Sequence, residues 1–228
     1  MTAPTCQRAC LIGFAEYPLW PPEFDGSRSC SISHRMVLSG VRRRHRHERT
    51  GFVLYAAAVQ AARDPWFYRT LGVPDTLDGR FDLVCLHAYL LISRLAAQPS
   101  PGPALAQAVF DAMFSDMDVN LREMGVGDLS VGRRVRTMWE AFHGRAAAYG
   151  GAMSDPVALT AAIARNVWRG ARPPSGSAAA LARLLRAQDA HLAAQIAGNW
   201  ERVMAGEAGF LAAQEASKPD PAAQSDSS

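Results

Sequence analysis

Apolar residues recur every three or four positions through most of this chain, and no stretch alternates with period two over a strand length. The pattern predicts a string of helices. The first covers 52–63, with Phe52, Tyr55, Val59 and Ala62 along one side, and Asp64-Pro65 ends it. Residues 66–71 make a short turn ahead of Gly72-Val73-Pro74. Thr76 or Asp78 then offers an N-cap to a helix reaching about Ala97. Phe81, Val84, Cys85, Ala88, Leu91, Ile92 and Leu95 occupy one face of it, and Leu83, Leu86 and Leu90 another. A helix apolar nearly all round belongs at the centre of a bundle. Asp82, His87 and Arg94 interrupt it and argue against a membrane span.

Pro99-Ser100-Pro101-Gly102-Pro103 separates this helix from the next, which runs to about Met124. Its stripe is Phe110, Met113, Phe114, Met117, Leu121 and Met124; Asp111, Asp116, Asp118, Asn120, Arg122 and Glu123 cover the other faces. A glycine hinge over 125–130 follows, its first glycine suited to close one helix. Val131, Val135, Met138, Phe142 and Tyr149 mark the next buried stripe, opposed by Arg133, Arg134, Arg136 and Glu140. Asp155-Pro156 pairs an N-cap with proline at the first helical position, opening a helix to about Trp168. After the breaker at 172–176, Ser177 starts an alanine-rich helix reaching Val203 or beyond. The expected fold is all-α, a single bundle-like domain of about six to seven helices with disordered termini. Residues 51–212 form the helical domain, 213–228 a disordered tail, and 1–50 an N-terminal extension, disordered or mis-assigned, that carries the basic run 42–49.

Composition fits this reading: 49% of the 228 residues are apolar, enough for a core, and Lys218 is the single lysine. The net charge of +3 matters less than its location. Residues 36–50 hold five arginines against one glutamate, while residues 1–35 balance three arginines with three acids. The folded part is therefore almost neutral, which excludes a global nucleic-acid-binding field and specific DNA as a partner. Arg42, Arg43, Arg44 and Arg46 are instead a local candidate contact for anionic lipid headgroups or ribosomal RNA, with a solvated basic leader as the plainer reading. Residues 1–35 lack a helical period, a proper signal peptide and a membrane span. Either Met36 is the natural start or those residues are a genuine disordered tail.

Cys6, Cys10, Cys30 and Cys85 form neither a C-x-x-C pair nor a zinc pattern, so a reducing cytoplasm is expected, with Cys85 in the core. Other chemical signatures fail as well. Asp116-x-Asp118-x-Asn120 opens like a calcium loop, but Leu121 replaces the required glycine and Gly127 stands where the bidentate glutamate belongs. Gly127 and Gly132 have phosphate-loop spacing, yet Arg133-Arg134 follow in place of Lys and Ser/Thr. Ser130 takes the place of the third glycine of a dinucleotide fingerprint, and the single Glu-x-x-His string, Glu140 to His143, lacks the second such pair that a di-iron site needs. His45 and His47 offer at most adventitious metal binding. No catalytic residue, metal, cofactor or small-molecule substrate is expected. His87 reads as a core histidine, with His143 and His191 exposed.

The run FSDMDVNLREMGVGDLSVG over 114–132 and the block FYRTLGVPDT over 67–76, followed by DGRFD over 78–82, together resemble the ubiquinol–cytochrome c chaperone family. The resemblance covers about 55–169 and fades through the next helix. It implies a chaperone for assembly of the cytochrome bc1 complex, respiratory complex III, that binds newly made cytochrome b or another bc1 subunit. The ribosome and the inner-membrane surface are further partners to consider, with a cytoplasmic location at the inner face of that membrane. Within the matching blocks, Arg80, Asp116, Asp118, Arg122, Glu123, Asp128 and Arg133 are the candidate partner contacts, since helix packing alone does not require their identities. Local capping and salt bridges explain some of them equally well. Methionine-rich helices suit adaptable client surfaces, although core packing explains any single one of Met113, Met117, Met124 and Met138. Two other classes stay open: an RNA- or lipid-binding adaptor acting through 42–46, and an enzyme whose pocket converges on Arg80, Asp82 and His87.

Overall fold

Most helix boundaries follow from local chemistry. The computed structural model describes residues 34–216, and over these the chain is helical without a strand. Six long helices make the body: α1 (His34–Ala62), α3 (Leu77–Ala96), α4 (Gly102–Glu123), α5 (Asp128–Ala152), α6 (Pro156–Val167) and α7 (Ser177–Ile196). Three short ones connect or flank them: α2 (Pro65–Arg69), α8 (Trp200–Met204) and α9 (Ala213–Ala216). The all-α expectation and the number of long helices hold.

The expected caps at Thr76 and Asp155 are in place, and Asp64, expected only to end the first helix, also caps α2. The Asp64 carboxylate accepts from the Trp66 N–H at 2.9 Å, the Thr76 hydroxyl from Gly79 N–H at 3.1 Å, and Asp155 from Val157 N–H at 2.8 Å and Ala158 N–H at 3.2 Å. Pro65 and Pro156 follow their caps directly, where a missing N–H costs nothing. At the α4 terminus Gly125 adopts φ of 80°, its N–H reaching the Arg122 carbonyl at 2.9 Å and the Val126 N–H the Leu121 carbonyl at 3.0 Å. These are the paired bonds of a Schellman cap.

α3 is buried on almost every side, as its all-round apolarity predicts, and packs against α1, α4, α5, α6 and α7. Cys85 lies with Leu83, Leu86, Leu90 and Leu91 in the core, and burial pushes its thiol well above the ordinary range. Cys6, Cys10 and Cys30, and the choice between a natural start at Met36 and a disordered tail over 1–35, concern residues that lie almost wholly outside the described ones.

Two helix limits and two side chains differ from expectation, His191 being half-buried beside the Gln195 amide as well as His143. α1 begins at His34, well before residue 52. The apolar period starts only at Phe52, but arginine is a strong helix former and carries the helix N-terminally without a period. Gly51 lets α1 cross α4 backbone to backbone: a Cβ there would sit 2.6 Å from Ala108. α7 stops at Ile196, where Ala197 is extended and Gly198 has φ of 75°. The apolar period continues into Trp200 and Val203 on the separate helix α8. His143 is half-buried, its ring 3.9 Å from that of Trp139.

After α8 the chain returns across the bundle. Thr50 Oγ1 donates to the Met204 carbonyl at 3.0 Å, and the Gly209 N–H donates to Gln195 at 2.9 Å. The Gln188 amide exchanges two 2.8 Å hydrogen bonds with the backbone of Leu211. This strap lays Phe210 against His87, with ring centroids 5.2 Å apart.

Candidate functional site

A groove of about 930 Å³ opens between the end of α1, α2, the start of α3, the second half of α4 and the first half of α5. Its surface is apolar along the middle: Val59 from α1, Val84 from α3, Met117 and Leu121 from α4 and Met138 from α5. Met113 is fully buried in the core, whereas Met124, 51% exposed, closes one end of the groove. The methionines thus divide between packing and surface.

The charged groups around this strip are organised in pairs. Asp116 accepts the Tyr55 hydroxyl at 2.7 Å, joining α4 to α1, and burial together with that bond pushes the Tyr55 phenol far up. Arg80 Nε lies 2.7 Å from Asp75, and this bond holds the Asp75 carboxyl below the usual carboxylate range. Behind them is a buried carboxylate. Asp82, 0% exposed, contacts Arg145 Nη2 at 2.6 Å, Arg169 Nε at 2.7 Å and Arg169 Nη2 at 3.0 Å. Burial raises the Asp82 carboxyl, while the Arg169 hydrogen bond and the charges of Arg145 and Arg169 pull it back down. Asp82 in turn holds the Arg169 guanidinium above its usual range.

Arg169 also reaches Asp78 at 3.0 Å, so one guanidinium ties both carboxylates of the α3 start to the end of α6. It does so from φ of 49°, an uncommon conformation for a residue with a side chain. The neighbouring Trp168 donates its indole N–H to the Gly72 carbonyl at 3.1 Å. Arg145 adds a bond to the Ala141 carbonyl at 3.0 Å and lies 5.7 Å from the centre of the Phe81 ring. These links fix the groove's back wall with buried polar bonds, not with apolar packing alone.

The residues singled out from the sequence divide among three places. Arg80 and Asp116 line the groove. Asp118, Arg122 and Asp128 form a bridge across the α4–α5 turn, with Arg122 Nε 2.7 Å from Asp118 and its Nη1 on Asp128. Glu123 and Arg133 are exposed and do not line the groove; Arg134 does. Arg46 is exposed on α1, and the side chains of Arg42, Arg43 and Arg44 lie outside the described residues. The sequence pattern passed over Arg63, Arg69, Arg134, Arg145 and Arg169 as site residues. A carboxylate at Asp82 inside an otherwise apolar helix was the available signal that cations must meet it.

The convergence an enzyme would need is missing from Arg80, Asp82 and His87. His87 is 1% exposed and lines a different cavity, of about 560 Å³, with Phe67, Gln188 and Phe210. Its Nδ1 bonds the Leu83 carbonyl at 2.8 Å, and burial lowers its pKa to about 4. It is the core histidine expected. Among the described residues no group of three His, Cys, Asp or Glu side chains is placed to hold a metal ion, and no helix is long and apolar enough to cross a membrane.

Fold and groove together define an all-helical domain with one groove whose apolar strip carries a charged rim. Residues 69–198, more than half of the chain, match the family model described as ubiquinol–cytochrome C chaperone, and the protein belongs to that family. The match begins later than the sequence blocks suggested and continues through α7 instead of fading after Arg169. The chain is 25% identical over 115 residues to a Xenopus laevis protein named ubiquinol-cytochrome-c reductase complex assembly factor 1, covering 50% of this chain and 58% of that one. The Drosophila melanogaster protein of the same name is 28% identical over 123 residues, covering 51% and 48%. The chain thus spans roughly half the length of these relatives. The crystal structure of the Cbp3 homolog from Brucella abortus superposes with a TM-score of 0.68 at 31% identity, covering 79% of this chain and 98% of that one.

Proposed function

We propose that this protein is an assembly chaperone for the cytochrome bc1 complex, binding newly made cytochrome b in the groove between α1, α4 and α5. The observation that carries the site is the apolar strip in which half-buried Met117 and Met138 flank the buried Leu121 between charged rims. Methionine side chains adapt to irregular apolar partners, and the charged border keeps the empty groove soluble. A client segment covered in this way is withheld from aggregation without any chemical step. The relatives' names, which specify ubiquinol–cytochrome c reductase assembly, support this choice of client complex.

The test is a redox difference spectrum of membranes from a strain lacking the gene, beside its parent. Loss of the bc1-associated b and c1 signals, with terminal oxidases retained, is the expected result. Crosslinks from position 116 to cytochrome b then identify the client. Unchanged spectra and bc1 activity remove the assembly role.

A second contact is supported by the geometry of α1. Arg46, Arg49 and Val53 are exposed, and helical spacing places them on one face with position 42, with the exposed Phe52 at its edge. A basic face continued by Phe52, 55% exposed, suits the anionic cytoplasmic surface of the inner membrane better than RNA alone. Flotation with phosphatidylglycerol vesicles should succeed at low salt and fail for a variant with Arg42, Arg43, Arg44 and Arg46 all changed to Gln. Equal flotation of both proteins overturns this contact.

A further inference from the structure

The acids and the bases of the groove are in different states. Its carboxylates are already engaged within the protein: Asp75 by Arg80, Asp78 by Arg169 and Asp116 by the Tyr55 hydroxyl. Several of its arginines are not. Arg63 at the end of α1, Arg69 in α2 and Arg134 in α5 line the groove, are exposed, and have no ion pair among the described residues. A hydroxyl bond leaves the Asp116 charge in place, so the apolar strip runs between borders whose unpaired charge is three guanidiniums against one carboxylate, a positive balance.

The walls also restrict the backbone form of an occupant. They are helices, and no strand edge is present among the described residues, so an extended segment would find no ladder of backbone partners. A helix satisfies its own backbone. Met117, Leu121 and Met124 rise about 10 Å along α4, the reach of three side chains at i, i+4 and i+7 on a facing helix. An uncharged guest would crowd three arginines without compensating them, and a basic guest would be repelled.

We propose that the groove receives an amphipathic helix of the partner, its apolar stripe on Met117 and Met138 and flanking carboxylates on Arg63, Arg69 and Arg134. The identity of that partner as a bc1 subunit rests on the assembly role proposed above; the acidic amphipathic character does not.

The experiment uses the full chain and three fluorescein-labelled, helix-stapled peptides about four turns long. They share one Leu/Phe stripe and differ only in flanks of Glu, Gln or Lys. Fluorescence anisotropy should rank them Glu, Gln, Lys, with the Glu peptide at least about tenfold tighter than the Lys peptide and weakening as salt rises. The triple variant R63Q/R69Q/R134Q should lose this ranking while keeping its melting temperature and its affinity for the Gln peptide. Met138→Asp should weaken all three peptides. Equal binding of the three peptides, or an unchanged ranking in the triple variant, overturns the proposal. Phosphatidylglycerol vesicles that bind through these arginines while the peptides show no ranking also overturn it, in favour of a lipid headgroup. In cells, full restoration of bc1 spectra by the triple variant counts against this occupant and leaves the assembly role standing. A null strain with normal bc1 counts against the assembly role and leaves the peptide ranking to decide the groove.

Discussion

At the scale of single residues, the two polar side chains inside α3 have opposite solutions to burial. Asp82 keeps its carboxylate by drawing in Arg145 and Arg169, whereas His87 stays neutral between Phe67 and Phe210 with one bond to the Leu83 carbonyl. The second solution has a pH cost. The unfolded chain takes up a proton at the ordinary histidine value of 6.5, and the folded chain only at about 4. His87 therefore contributes stability that is complete above the unfolded value and is lost as pH falls from 6.5 towards 4, a total of about 3 kcal/mol. Urea unfolding across that window should show a shallower pH dependence for His87→Gln than for the parent, the difference between the two curves isolating this side chain from the carboxylates. Both residues were legible as interruptions of an apolar helix. Their partners were not, because Arg145, Arg169 and Phe210 stand far away in the chain and reach α3 only through tertiary packing.

At the scale of elements, glycine shows how one residue type serves two purposes. Gly51 lies in α1 where the backbone of α4 passes, and Ala108 backbone atoms stand 2.6 Å from where a Cβ would be. Gly132 in α5 has open space around that position. Gly51→Ala should destabilise the protein by about 1–3 kcal/mol by forcing the helices apart. Gly132→Ala should stabilise it by roughly 0.5–1 kcal/mol by reducing the freedom of the unfolded chain. Thermal melts of the two variants, moving in opposite directions, check both. Capping chemistry made the starts of α3 and α6 readable, since Thr76 and Asp155 act on N–H groups two or three residues away; the Asp64 cap of α2 emerged only in the structure. The start of α1 was not readable from apolar period, because arginines extend a helix without contributing an apolar face.

At the scale of the molecule, the C-terminal strap is what seals the His87 side of the bundle. Gln188 and Gln195 reach out from α7 to hold the backbone of Leu211 and Gly209. Deleting residues 206–228 should uncover His87, raise its pKa from about 4 towards 6.5, and lower the melting temperature. Histidine NMR titration of the truncated and full chains measures the first effect. A pKa that stays near its present value would show that α2 and α7 suffice to exclude water.

The sequence by itself determined the helical class, the caps of α3 and α6, the central position of α3 and the family, because these depend on residues close in the chain or on motifs that survive as strings. Arg80 and Asp116, singled out as candidate partner contacts because both fall inside the matching motifs, line the groove. Only the tertiary structure separated them from Asp118, Arg122 and Asp128, which bridge a turn, and replaced Arg133 by its neighbour Arg134 on the groove wall. Only it brought Arg63, Arg69 and Arg134 to the borders of one apolar strip. Helical spacing tells which residues share a face; which faces of α1, α4 and α5 meet, and where they part, is decided by packing across the whole bundle.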